Sequence, residues 1–221
     1  MEQQISKMKR KRDRPAEVGL SGRAVRIRTS QVEQLGKVLT RAFYNNACVT
    51  YILPDPEIRR AVLPWFFTSV AIRAGRLYGE VFTTANVDGG ALWIRPGVNL
   101  TIGRAMVNEM LALPFRLDRS SIVRWNKVIR HLETARRKLT DAQHWYLMAL
   151  GTESTKTSIR PNLLGPVLAE ADWDHRLCYV ETFDESDLVF YGQRGFHIVG
   201  AGQIPESGPN YWTLARSPLA A

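Results

Sequence analysis

Residues 144–172 read HWYLMALGTESTKTSIRPNLLGPVLAEAD, and the fold turns on how that run divides. His144–Leu150 is short and strongly apolar, as a buried strand should be. Pro161–Ala171 reads as a helix. Its proline sits in the first turn, where a missing N–H is one of the groups left free in any case. The junction between a strand and a helix N-terminus is a common place to cradle a phosphate, usually on glycines that let the backbone come close. Between Thr152 and Leu164 there is no glycine. The run therefore predicts strand, loop and helix, with a cradle that is either rebuilt from side chains or lost.

The pattern continues on both sides. Downstream, Cys178–Thr182 reads as a strand and Asp184–Gln193 as a short helix, with Gly195 where a left-handed residue is wanted. His197–Gly200 and Tyr211–Leu214 follow as strands. Upstream, Ala24–Arg28 alternates like a strand, and Ser30 with Glu33 suggests a capping box that opens a helix through Phe43. Glu57–Arg76 is a long apolar-faced helix with Pro64 as a kink or break. Glu80–Thr84 and Ala91–Ile94 read as a hairpin turning at Asp88-Gly-Gly90. Two helices, 100–113 and 120–139, complete a mixed α/β sequence of about six or seven strands. In the second, Ile122, Trp125, Ile129, Leu132 and Leu139 mark the apolar face.

Composition bounds the rest. The chain has 221 residues, 45% hydrophobic and 23% charged, as in an ordinary globular protein. No apolar run is long enough for a membrane span, and the N-terminus lacks a signal core, so no membrane and no export are expected. Two cysteines, Cys48 and Cys178, form neither a disulfide framework nor a metal spacing. A reduced, cytoplasmic compartment fits them, and no metal is expected. The net charge is +9, of which residues 1–14 supply +4. We read 1–22 as a basic, disordered arm and 23–221 as one domain. The arm's charge alone does not make a nucleic-acid site, so none is expected.

From Val25 to Arg216 the chain resembles the GNAT superfamily of acyl-CoA-dependent N-acetyltransferases, and within it the branch that includes puromycin N-acetyltransferase. The matching stretches are RAFYNNACVTYILPD (41–55), GEVFTTANVDGGALWIRPG (79–97), HWYLMALG (144–151), LLGPVLAEAD (163–172), CYVET (178–182), LVFYGQRGFHIVG (188–200) and GPNYWTLAR (208–216). The resemblance implies a twisted mixed α/β sheet, splayed between its fourth and fifth strands, with acetyl-CoA or another acyl-CoA in the opening. It implies direct transfer to a small-molecule amine by a monomer or homodimer.

It also implies roles. Tyr191 matches the family's proton donor to the departing thiolate. Glu181, in CYVET, is placed to act as base or cation-binding group, with His144 and Glu153 as weaker candidates. The backbone of Leu150 and Thr152 should pair with pantetheine and polarise the carbonyl. Asp187 stands where the family often has a cofactor-touching Asn. Phe43, Tyr44, Tyr51, Trp93 and His144 are candidates for the acceptor pocket. The family's glycine loop corresponds to Thr155–Pro161, which lacks glycine and also runs short of the usual length. Three readings follow. Lys156 and Arg160, helped by Thr155, Thr157 and Ser158, hold the phosphates; or the donor is different or phosphate-free; or the protein binds without turnover.

Overall fold

The structure, a computed structural model, describes residues 22–98, 116–139 and 143–219. The expected arm and the expected helix 100–113 lie outside these residues, apart from Gly22. The chain runs β1 (Val25–Arg26), α1 (Val32–Phe43), α2 (Ala47–Ile52), α3 (Pro56–Trp65), α4 (Ile72–Tyr78), β2 (Gly79–Thr83), β3 (Gly89–Ile94) and α5 (Arg119–Leu139). It continues through β4 (His144–Thr152), α6 (Arg160–Trp173), β5 (Leu177–Thr182), α7 (Asp187–Gly192), β6 (His197–Gln203) and β7 (Asn210–Arg216). The seven strands form one sheet in the order β1-β2-β3-β4-β5-β7-β6. All neighbours are antiparallel except β4 and β5. That parallel pair needs a crossover, and α6 supplies it.

Both faces of the sheet are covered, which explains the apolar runs in the central strands. One core layer joins Leu35, Leu39, Phe67, Ile72 and Leu92, with Trp125 and Leu132 of α5 packed on it. The other joins Trp93, Trp145, Leu163, Leu164, Val167, Tyr191 and Phe196 under α6 and α7. On α5 the apolar face is rotated slightly from expectation: Val128 is buried and Ile129 is exposed. Asp118 caps that helix. Its oxygens accept from Ser120 Oγ at 2.6 Å and the Ser121 amide at 3.0 Å, and these bonds lower its pKa to about 2.

Two local expectations are corrected and a third is narrowed. The first helix is not opened by Ser30 and Glu33. A short 3-10 turn, Thr29–Gln31, precedes α1, and the Gln31 side chain accepts from the Arg28 amide at 3.0 Å. Pro64 does not break its helix. The chain winds on past it and widens into a π-helical stretch, Phe66–Ala71, before α4, while Thr68 Oγ1 donates to the Pro64 carbonyl at 2.8 Å. The glycines of Asp88-Gly-Gly90 are not the hairpin turn. The loop runs through Thr84–Asp88, with Val87 at φ 58°, and both glycines belong to β3.

Those glycines are needed for closeness. A Cβ on Gly90 would lie 2.7 Å from Leu35 Cδ1 and 3.2 Å from the Phe82 carbonyl, and one on Gly89 2.9 Å from the Gly151 carbonyl. Gly165, inside α6, would meet nothing within 4 Å. Gly90→Ala is therefore expected to lose about 1–3 kcal/mol through overpacking. Gly165→Ala is expected to gain about 0.5–1 kcal/mol from helix propensity. Urea unfolding of the two variants side by side checks both signs.

Candidate active site

The sheet opens where β4 carries one extra residue. Leu92 stands opposite Ala149 but Trp93 opposite Leu147, so Met148 is a β-bulge. A bulge bends its strand and increases the local twist. The pairing of β4 with β5 ends at the same point: it runs from His144–Leu177 to Leu147–Val180 and goes no further. Beyond it, Ala149–Thr152 pairs only with β3, and Glu181 and Thr182 pair only with β7. One edge of Ala149–Thr152 therefore has no strand partner, so a ligand with an extended amide chain can bond there as an added strand.

A cleft of about 490 Å³ occupies the opening. Leu150, Gly151 and Thr152 form one wall, and Thr182, Phe183 and Asp184 the other. Arg41 and Phe43 come from α1, Asn45 and Asn46 from the turn after it, and Ser154, Thr157 and Arg160 from the turn entering α6. Asp187 and Tyr191 reach the cleft from α7. Tyr191 is 4% exposed, with Phe190 and Phe196 against its ring at 5.1 and 5.5 Å. Burial raises its pKa, and the Asp187 carboxylate adds to that, against the nearby Arg160. The phenol therefore keeps its proton.

Glu181 lies behind this cleft rather than in its lining. Neighbouring residues on a strand face opposite ways. Thr182 faces the cleft, while Glu181 is beside Tyr146 and Tyr179. Its Oε1 is buried and has no hydrogen-bond partner among the described residues. Burial raises the Glu181 pKa, opposed by the Tyr146 hydroxyl and then by Arg136. Burial first and Glu181 second also raise the pKa values of Tyr146 and Tyr179. A carboxylate whose pKa is raised in this way holds a proton more strongly than an ordinary glutamate.

The other expected residues divide. Leu150, Thr152, Glu153, Thr157, Arg160, Asp187 and Phe43 line the cleft. Thr155, Lys156 and Ser158 are exposed and do not line it. Tyr44 is a structural residue: its hydroxyl donates to the Pro56 carbonyl at 3.1 Å and Arg59 lies over its ring. Tyr51 donates to the Pro205 carbonyl at 3.4 Å, outside the cleft. Trp93 is wholly buried against Trp145 and belongs to the core. His144 stands at the start of β4 beside Tyr179. Cys178 is buried, and burial pushes its thiol up to about 12, so it is no nucleophile. Among the described residues no group of His, Cys, Asp and Glu could hold a metal ion.

Sequence reading did not anticipate the pairing of the cleft's charges. Arg41 Nε and Nη2 both donate to the Glu153 carboxylate, Nε at 3.2 Å. Arg160 Nη2 donates to Asp187 Oδ1 at 2.6 Å, and Thr182 Oγ1 donates to Asp187 Oδ2 at 3.1 Å. The Arg160 guanidinium also lies 4.0 Å from the Phe190 ring centre. The partners in these ion pairs are 112 and 27 residues apart, so no local spacing announces them.

No protein-family model matches the chain, and no curated protein matches it in sequence. Solved structures do match. A protein described as a histone acetyltransferase HPA2 and related acetyltransferase, from Corynebacterium glutamicum, is 20% identical with a TM-score of 0.66, covering 90% of this chain and 97% of that one. The Drosophila melanogaster polyamine N-acetyltransferase, which forms N-acetylagmatine, is 14% identical with a TM-score of 0.58, covering 88% and 98%. The C-terminal condensation domain of Ebony, solved with β-alanyl-dopamine, is 12% identical with a TM-score of 0.53, covering 88% and 97%. These matches do not distinguish branches of the superfamily. They agree with the splayed sheet: the chain has the fold of the GNAT acetyltransferases.

Proposed function

We propose that this protein is an acyltransferase that moves an acyl group from a thioester directly to a small-molecule amine. The observation that carries the reading is the opening between β4 and β5, with a free strand edge on one side and a buried, protonated Tyr191 at its base. The free edge would hold the donor's amide chain and aim its carbonyl. The Leu150 and Thr152 region offers backbone N–H groups to the carbonyl oxygen as it gains charge. The amine nitrogen forms its bond to the carbonyl carbon as the carbon–sulfur bond breaks. Tyr191 donates a hydrogen bond to the departing sulfur. Glu181, behind the cleft and reached through water, takes the proton that the amine must lose.

The fold implies acyl-CoA as cosubstrate, and the opening suits its pantetheine arm. The surroundings, with no glycine between Thr152 and Leu164, suit its nucleotide less well. Neighbouring structures that act on agmatine and polyamines support a small amine as acceptor, with the β-alanyl-dopamine bound to the Ebony domain as a further parallel. The test is thiol release from acetyl thioesters across a panel of amines, followed by mass analysis of the product. Amine-dependent release with one acetyl group added to the amine is expected. Release without N-acylation, or none with any donor, rejects the reading.

A further inference from the structure

The turn between β4 and α6 lacks the glycine cradle that a diphosphate commonly uses. A diphosphate needs free amides and unpaired cations at close range. Every residue from Ser154 to Pro161 carries a side chain, which keeps the backbone at a distance. Two of the turn's amides are also already bonded within it. The Lys156 amide bonds to the Glu153 carbonyl at 2.9 Å, and the Arg160 amide to the Thr157 carbonyl. Ile159, just before α6, already has helical angles, φ −86° and ψ −12°, so the helix presents no fresh set of amides at Arg160. Pro161 has none to present.

The charges point the same way. The cleft is lined by two arginines and three carboxylates, Arg41 and Arg160 against Glu153, Asp184 and Asp187. Both arginines are already paired with two of those acids. An anion that captured Arg160 would leave Asp187 facing it, with Asp184 and Glu153 on the same rim. Lys156, the remaining cation of the turn, does not line the cleft. The strand edge that would bind pantetheine is intact.

We infer that the site takes its acyl group from a pantetheine-type thioester that carries no adenine nucleotide, whether free or attached to a carrier protein. This rests on the acyltransferase reading and narrows its donor. Carbon–sulfur cleavage returns a pantetheine thiol, the acyl group leaves on the amine, and no further reactant is needed.

The experiment measures kcat/KM with one accepted amine and four donors: acetyl-CoA, acetyl-4′-phosphopantetheine, acetyl-pantetheine and an acetylated carrier protein. Calorimetric titration with adenosine 3′,5′-bisphosphate runs beside it. The truncated donors are expected to match or exceed acetyl-CoA, and the nucleotide to give no binding at millimolar concentration. A higher value for the carrier protein than for free phosphopantetheine assigns the source. Acetyl-CoA preferred by about 100-fold, or micromolar nucleotide binding, overturns the inference while leaving the acyltransferase reading in place. No transfer from any donor rejects the acyltransferase reading and this inference with it. The double variant Glu153→Gln, Asp187→Asn adds a gain-of-function arm. Freeing both arginines should improve nucleotide binding at least about tenfold, and no change would mean that the pairing is not what excludes it.

Discussion

Tyr191→Phe is expected to lower kcat for amine acylation about 100-fold or more, with KM for donor and amine changed less than about threefold. The substitution removes one oxygen from a ring that is otherwise held by Phe190 and Phe196. Both aromatic contacts survive, so substrate binding and folding have little reason to change. What is lost, on the proposed mechanism, is the donor that meets the sulfur as negative charge develops on it, an interaction made in the transition state and not before. The melting temperature should stay within about 2 °C of the parent, because the hydroxyl faces a cleft rather than a packed core. A comparable loss in KM alone would make Tyr191 a binding residue. A loss of stability with kcat intact would make it a core residue.

The pH profile separates the two proposed groups. Burial raises the Tyr191 pKa, so the phenol stays protonated and adds no alkaline loss within the usual working range. Glu181 must be deprotonated to accept a proton, and its pKa is also raised by burial. Activity should therefore rise with pH through a point above the ordinary glutamate range. In Glu181→Gln that ascending limb should flatten. Tyr191→Phe should keep the limb at lower height.

The fold was legible because its cues are local and periodic. Apolar stretches at β4 and β5, Pro161 at the start of α6 and Gly195 at φ 80° each announce an element or its end. The splay was legible only through resemblance. Its cause, the extra residue at Met148, is a register feature between β3 and β4 that neither strand shows alone. The site was half legible for the same reason. Tyr191 and Asp187 sit in a recognisable motif, whereas the pairing of Arg41 with Glu153 joins segments far apart in the chain. Lys156 and Arg160 look equivalent as cations in one loop, yet one does not line the cleft and the other is neutralised across it. Trp93 looked like a pocket aromatic because alternation along β3 does not say which of two covered faces is the site.

Asp172→Ala is expected to produce the largest stability loss, about 3 kcal/mol, or roughly 6–12 °C in melting temperature for a domain of this size. Arg216, at the end of β7, is 4% exposed. Its two terminal nitrogens donate to the Asp172 carboxylate at 2.7 and 2.8 Å, and its Nε donates to the Arg194 carbonyl at 3.1 Å. The same carboxylate accepts from the Leu219 amide at 2.8 Å. One arginine thus joins the last strand, the end of α6 and the turn after α7. Removing the acid leaves a guanidinium buried with a single carbonyl acceptor, which is worse than removing both charges. Asp172→Ala combined with Arg216→Met should therefore be more stable than Asp172→Ala alone. The dependence on pH has a definite sign. Bonding to Arg216 lowers the Asp172 pKa below its ordinary value of 3.8. The stabilisation is then complete above that value and is lost only as pH falls through the lower, folded one. Parent and variant should differ by a constant amount from neutral pH down to about pH 4 and converge below it. Urea unfolding across that range decides the matter, since a difference that closed near neutrality would mean that some other group carries the effect.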